Sequence, residues 1–421
     1  MRALYWFRND LRLHDNEALT WLCQNAQDVL FVYSYPLSFS RAGKFRRKFL
    51  LETLSDLQRQ LEEHGHHLFI TYAHPEEALP VLSHKYKIET LVYTEEYTPE
   101  ELHEEKQVLS RLILKNIVSF DQRVLSKKSQ LPFEVMDMPM AFTEFRTAIE
   151  QHLHPPTALS VPLIWPKAIV IDEFEMDLNR ELKMFTTPSR FAGGETQALQ
   201  RLREYIWDKD LLKTYKDTRH GLLNFDDSSK FSPWLANGSL SPRQVFSEIK
   251  SYEKDRTASD STYWMILDLL WRDYFKFYSL KYGPFMFRAD TFENSEREPL
   301  SDRIQQELFK TWATGTTGSD FVDASMKELN ETGFMSNKGR RVTSNYLIHT
   351  MHVDWRKGAR YFEEMLIDYD AASNWGNWNY AAGIAEDAQT TRNMENQNYT
   401  ADPEGSYVRH WLGPNHSGSH L

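Results

Sequence analysis

The sequence predicts an α/β N-terminal domain built on a parallel five-stranded sheet, followed by an all-α domain. Three observations carry this. Short apolar runs alternate with amphipathic stretches over the first ~125 residues. Prolines then punctuate the segment from about 126 to 190. After "GGETQAL" (193–199) the apolar spacing turns helical and stays so.

In order, "ALYWF" (3–7), "VLFVYSY" (29–35), "HLFITYA" (67–73), "TLVYTEE" (90–96) and "IVSFD" (117–121) read as buried strands. Between them, 45–64 and 98–115 have helical spacing; Phe49, Leu50, Leu54, Leu57 and Leu61 recur at three and four residues. Strands alternating with helices imply βαβ units, hence parallel pairing. Neither GxGxxG nor GxxxxGK[ST] occurs there, so dinucleotide or triphosphate binding in those modes is not supported. Pro132, Pro139, Pro155, Pro156, Pro162, Pro166 and Pro188 mark a linker draped over the surface. Helices are expected over 196–208, 241–254, 261–281, 301–314, 320–332, 340–351 and 356–367. The expected domains are 1–130 and 196–421, joined by 131–195.

With 421 residues the chain can bury two cores. Its net charge of −11 excludes bulk attraction to nucleic acid, so such a site must be a local basic patch. Nine of the twelve tryptophans follow residue 200, which suits stacking, redox work or a large aromatic core. A single cysteine, Cys23, excludes an internal disulfide, a CxxC pair and a cysteine-ligated iron–sulfur cluster. A packed thiol in a reducing, cytoplasmic setting is expected. The start "MRALYWFRNDLRLHDN" has no apolar signal core, and no apolar run nears 18 residues, so no membrane span is expected.

Four constellations carry candidate chemistry. In 215–243, Ser228, Ser229, Lys230 and Ser232 offer hydroxyls and a cation before Pro233. That suits a diphosphate at a helix start with Ser232 as N-cap, or an ordinary serine-rich turn. In 261–277, Trp264, Asp268, Trp271 and Arg272 share one helix face; a buried arginine there needs an anionic partner. In 333–362, Lys338, Arg340, Arg341, Arg356, Lys357 and Arg360 face one acid before Tyr361, Asp354. Phosphate contacts or a solvated helix face both fit. In 366–383, Asp368 and Asp370 flank a tyrosine without a third metal ligand at fixed spacing. Asp368 paired with Arg340 or Arg272 is the structural reading. No metal site is expected. "EEHGHH" (62–67) reads as a surface turn.

Together, "YWFRNDLRLHDNEAL", "TYKDTR", "SSKFSPWLANGSLSPR", "LLWRDYF", "FVDASMKELNETGFMSNKGR", "DWRKGARYFEEMLIDYDAASNWGNWNYAAG" and "DPEGSYVRHWL" resemble the photolyase/cryptochrome family over nearly the whole chain. "STYW", "KFSPWLA", "GFMSN" and "SNWGNWNY" resemble its cryptochrome DASH branch. The resemblance implies a Rossmann-like sheet domain and a helical domain that binds FAD. It implies that Tyr215, Ser228, Ser229, Lys230, Phe231 and Ser232 hold the diphosphate. It implies that Arg272, Asn337, Arg340, Asp368, Asp370 and Asn374 line the rest of the cofactor, with Asn374 facing flavin N5. The implied reaction is blue-light-driven, one-electron splitting of cyclobutane pyrimidine dimers in single-stranded or looped DNA, by a monomer. Trp271 and Tyr380 would pack on the dimer, and Asn337 and Asp268 would read its edges. Lys338, Arg341 and Arg409 would meet phosphates. Trp378 and Trp355 match the inner and middle members of a photoreduction chain. A methenyltetrahydrofolate antenna would sit between the domains, beside Glu150 in "FTEFRTAIE".

The sequence departs from the pattern at four points. The lesion-facing acid is Asp268 rather than Glu. The outer tryptophan position falls on Asp302. "GSDFVDA" replaces the usual residues before VDA, and a late motif survives only as Asn393 and Gln397. Two other readings stand beside repair: a blue-light sensor that binds flavin and nucleic acid with little repair, and a nucleotide-binding α/β protein with an unrelated helical partner.

Overall fold

A computed structural model of the chain describes residues 1–35, 37–155, 157–288, 300–383 and 402–416. Strands β1 (Arg2–Phe7), β2 (Asp28–Ser34), β3 (Leu68–Thr71), β4 (Thr90–Thr94) and β5 (Asn116–Phe120) pair in parallel in the order β3-β2-β1-β4-β5. The register sets Leu4 of β1 between Leu30 of β2 and Leu91 of β4. Helices α1 (Glu17–Asn25), α2 (Lys44–Glu63), α3 (Pro75–Lys85) and α4 (Pro99–Arg111) connect the strands. The strand period of two divides β1 between two cores. Tyr5 and Phe7 pack with Leu19, Leu54 and Leu57, whereas Leu4 and Trp6 pack with Leu79, Leu82 and Val108. Sheets covered on both faces need such continuous apolar strands.

Three expectations need correction here. β5 is not buried: it is an edge strand, with no strand paired beyond it among the described residues, and Ile117 is 46% exposed. The proline-rich segment is not a featureless linker. It contributes α5 (Phe142–Glu150), a short strand β6 (Lys167–Ala168) beside the start of β2, and α6 (Leu178–Lys183). Phe142, Phe145 and Ile149 of α5 are buried in the helical domain's core, each worth about 1.5–3 kcal/mol of apolar burial. The histidine turn is only partly at the surface, since His66 is buried against Phe31 and Trp165. Cys23 is partly buried, and burial pushes its thiol up to about 12.

The helical part comprises α7 (Glu195–Arg203), α8 (Tyr215–Thr218), α9 (Ser232–Asn237), α10 (Pro242–Asp255), α11 (Asp260–Tyr282), α12 (Asp302–Thr314), α13 (Asp320–Thr332), α14 (Asn337–Asn345), α15 (Trp355–Met365), α16 (Ala371–Ala381) and α17 (Ser406–Leu412). Apolar residues ring α11 almost completely, so it runs through the centre. Gly376 lets α16 lie against it, because a Cβ there would come within 2.2 Å of the Phe275 ring. Polar clamps join the two parts. Arg243 of α10 donates to Asp15 at 3.0 Å, with both side chains at most 1% exposed. Glu195 accepts the backbone N–H groups of Leu13 and His14 at 2.8 and 2.9 Å. Asp273 of α11 accepts those of Leu125 and Ser126 at 2.8 and 2.9 Å.

Candidate functional site

Ser232 opens α9 and donates its Oγ to Asp368 at 2.7 Å. Phe231 occupies the N-cap position instead, so the capping role expected of Ser232 is replaced by this longer-range bond. Arg340 Nη2 reaches both oxygens of Asp368 at 2.8 Å, and its Nε donates to the Met335 carbonyl at 2.9 Å. Of the two arginines that the sequence offers Asp368, Arg340 takes the pair. Arg272 instead donates to the carbonyls of Arg123 and Leu235, close enough to the Asp370 and Asp273 carboxylates for its charge to act on both.

The serine turn is held from behind. Arg201 of α7 donates to the carbonyls of Ser229 at 3.0 Å and Ser228 at 3.2 Å while pairing with Asp226 at 2.7 Å. Lys230 adopts a φ of +58° and is buried, with its ammonium 5.1 Å from the Phe334 ring centre. Burial lowers the Lys230 ammonium to about 8. Lys230 follows Ser228 and Ser229 in the turn, and a cation with serine hydroxyls is a donor set that suits a diphosphate. The residues present therefore fit the phosphate end of a dinucleotide cofactor.

Asp370 caps α16, accepting from the Ser373 backbone at 2.9 Å, and takes Lys276 at 2.8 Å and Arg123 at 3.4 Å on its other oxygen. Burial alone would raise this carboxyl; Lys276 and Arg123 overcome that and hold it well below the usual carboxylate range. One turn on, Asn374 is buried and donates to the Ala359 carbonyl at 3.0 Å. Trp378 follows at 2% exposure, its ring edge passing over Gly358, where a Cβ would lie 2.2 Å away.

Trp271 and Tyr380 meet edge to face at 5.8 Å. One face of Trp271 is backed by Phe142 of α5 at 3.5 Å and 12°. Tyr380 also reaches Tyr274, oxygen to oxygen, at 3.3 Å. Nearby, Asp268 accepts the Tyr215 hydroxyl and Arg219 Nη1, the latter at 3.0 Å. The Arg219 guanidinium lies 4.2 Å over Trp264. Asp268 retains 40% side-chain exposure. Protein crowded around its carboxyl still raises it, against the opposing pull of Tyr215 and Arg219. Asp268 is thus tied to both, and the Tyr215 ring also meets Tyr205 edge to face at 6.3 Å.

Sequence reasoning missed Arg219 and Phe142. The four-residue step from Tyr215 to Arg219 was a signal for the first; nothing local marks the second. Asn337 and Arg341 are exposed at the start of α14, with Lys338 half-buried between them. Burial first, then Arg219, Lys338 and Arg341, lower the His220 imidazole, so these cations share one neighbourhood. Arg409 is exposed on α17. Arg356 folds back on Asp354 at 2.6 Å, and with Arg340 committed to Asp368 the basic segment is partly internal. Glu150 is exposed at the end of α5, accepting Tyr263 at 2.7 Å. It does not line the cavity of about 220 Å³ between the domains, whose walls include Arg8, Tyr33, Arg46, Glu104, Arg123 and Tyr369. Asn393 and Gln397 lie outside the described residues. No described helix is long and apolar enough to cross a membrane.

Comparison with known proteins adds the family. Residues 3–162 match the model described as DNA photolyase, and 264–416 match the FAD binding domain of DNA photolyase. A cryptochrome DASH of Gloeobacter violaceus is 42% identical over 97% of this chain and 85% of its own length. The chain belongs to the photolyase/cryptochrome family. Within the family, a Synechocystis cryptochrome of known crystal structure superposes with a TM-score of 0.91 at 38% identity, covering 99% of this chain and 90% of that one. A bacterial class III photolyase from Agrobacterium tumefaciens gives 0.81 at 27% identity, over 98% and 86%. The family's FAD-binding domain takes in α11, α14 and α16, with Asp268, Arg340, Asp368 and Asn374; the serine turn precedes the matched segment.

Proposed function

We propose that the protein binds FAD and uses blue light to split cyclobutane pyrimidine dimers, preferring single-stranded or looped DNA. The observation that carries this is the Ser232–Asp368–Arg340 chain, which ties the serine turn to the segment leading into the helix that bears Asn374, within the family's FAD-binding domain. When bound, FAD supplies light absorption and the single electron that opens the dimer. Everything else falls to the chain. Lys230, Ser228 and Ser229 anchor the diphosphate. Arg340 fixes Asp368, and Asp370 sets the start of α16, so that Asn374 is presented one turn later. Trp271, stiffened by Phe142, and Tyr380 offer an apolar platform to an extruded dimer. A single strand favours this, because no base pairs must be broken to extrude the lesion. Lys338, Arg341 and Arg409 meet the backbone phosphates.

A light-collecting methenyltetrahydrofolate beside Glu150 is part of this proposal. The 220 Å³ inter-domain cavity is the competing position for a second chromophore, since it opens beyond the carboxyl ends of β1 and β2. Glu150→Gln should release the antenna absorbance but leave FAD bound; retention of both would favour the cavity.

One feature favours the sensor reading. Asp268 is already engaged by Tyr215 and Arg219, and is a methylene shorter than the expected Glu. Release of FAD from denatured protein, with light-dependent disappearance of dimers from an oligonucleotide, tests the main reading. Bound FAD without any repair would leave the sensor.

A further inference from the structure

We propose that Tyr361, reached from Trp378 through Trp312, is the terminal electron donor for light-driven reduction of the flavin; the proposal rests on the FAD reading above. Trp378 meets Trp312 at 6.2 Å and 72°, and Trp312 meets Tyr361 at 5.8 Å and 67°. Trp312 is fully buried, and its Nε1 donates to the Thr343 carbonyl at 2.9 Å. A carbonyl facing the indole N–H stabilises the positive charge that the ring carries after losing an electron. Tyr361 is half-buried, so the route leaves the core there, and its hydroxyl donates to Asn330 Oδ1 at 2.6 Å.

The route through Trp355 is less well built. Among the described residues its buried Nε1 has no hydrogen-bond partner, which disfavours a charged indole. Its ring contact is with Trp375, at 5.7 Å. At the position of an outer tryptophan stands Asp302, an exposed carboxylate at the start of α12 that cannot relay an electron.

With FAD bound, Trp378 would give up one electron to the flavin in light. Trp312 refills Trp378, and Tyr361 refills Trp312. Tyr361 loses that electron together with its phenolic proton, which passes to solvent at the half-exposed rim, leaving a neutral tyrosyl. A thiol reductant from outside returns one electron and one proton to Tyr361.

The test is a blue flash on the FAD-loaded protein with dithiothreitol, read by transient absorption and by electron paramagnetic resonance of the radical. Tyr361→Phe, Trp312→Phe and Trp355→Phe are compared at equal bound FAD. The wild type should give a tyrosyl signal. Tyr361→Phe and Trp312→Phe should both lose it and lose the long-lived reduction, whereas Trp355→Phe keeps both. A yellow protein in which Tyr361→Phe is unchanged, or in which Trp355→Phe alone abolishes the signal, overturns this proposal but not the flavin reading. A protein that binds no FAD overturns both.

Discussion

Phe142 lies face to face on Trp271 at 3.5 Å, although the two come from segments that composition alone would separate into linker and core. The stack fixes the indole plane, and Phe275 at 5.6 Å and Tyr380 at 5.8 Å pack against the same ring. Trp271→Ala should weaken binding of a dimer-bearing single strand by about 1–3 kcal/mol. Phe142→Ala should cost less, about 0.5–1.5 kcal/mol, because it removes only the support. Fluorescence anisotropy titrations measure both; equal losses would make Phe142 a direct contact.

Asp268 is shared by Tyr215 and Arg219, so its reach toward a substrate is set by them. Asp268→Glu lengthens that reach and should leave repair level or raise it. Asp268→Asn should lower repair by about 1.5–3 kcal/mol of barrier, the worth of a charge-assisted bond. Single-turnover repair rates check this, and a large fall in Asp268→Glu would show that the acid is not directed at the lesion.

Lys338 and Arg341 stand at the start of α14 near Arg219 and His220. Replacing both by alanine should flatten the slope of log binding constant against log salt by about 2, one per lost phosphate contact. An unchanged slope would place the DNA path elsewhere.

The Lys230 ammonium is lowered to about 8 by burial. It is charged below that pH and neutral above it, and a diphosphate prefers the charged form. FAD affinity should therefore be level below pH 8 and fall above it, by at most about tenfold per pH unit. Lys230→Gln should bind more weakly at pH 7 and lose this dependence. Equilibrium dialysis from pH 6.5 to 9.5 measures it; a flat wild-type profile would remove Lys230 from the phosphate site.

Much of the fold was legible because burial on both faces writes β1, β2 and β4 as unbroken apolar runs. The same rule misread β5, whose apolar residues stand at an open edge. α3 was hidden by Pro75 and Pro80, and β6, at two residues, is too short for any period. α5 looked like linker because its three buried residues pack on another part of the chain. At the site, the charge pattern announced a buried arginine pair with Asp368, but only the folded chain chooses Arg340 over Arg272. Phe142 was silent for a similar reason, its partner lying more than 100 residues away, and Arg219 carried only its four-residue step from Tyr215, with Asp268 49 residues on.

The most direct measurement is repair of one oligonucleotide carrying a single cyclobutane thymine dimer, presented single-stranded and as a duplex, with reduced protein, in blue light and in darkness. The account predicts light-dependent repair of both, faster on the single strand, and none in darkness. Retention of the dimer in the illuminated single strand, with FAD bound and reduced, would contradict it.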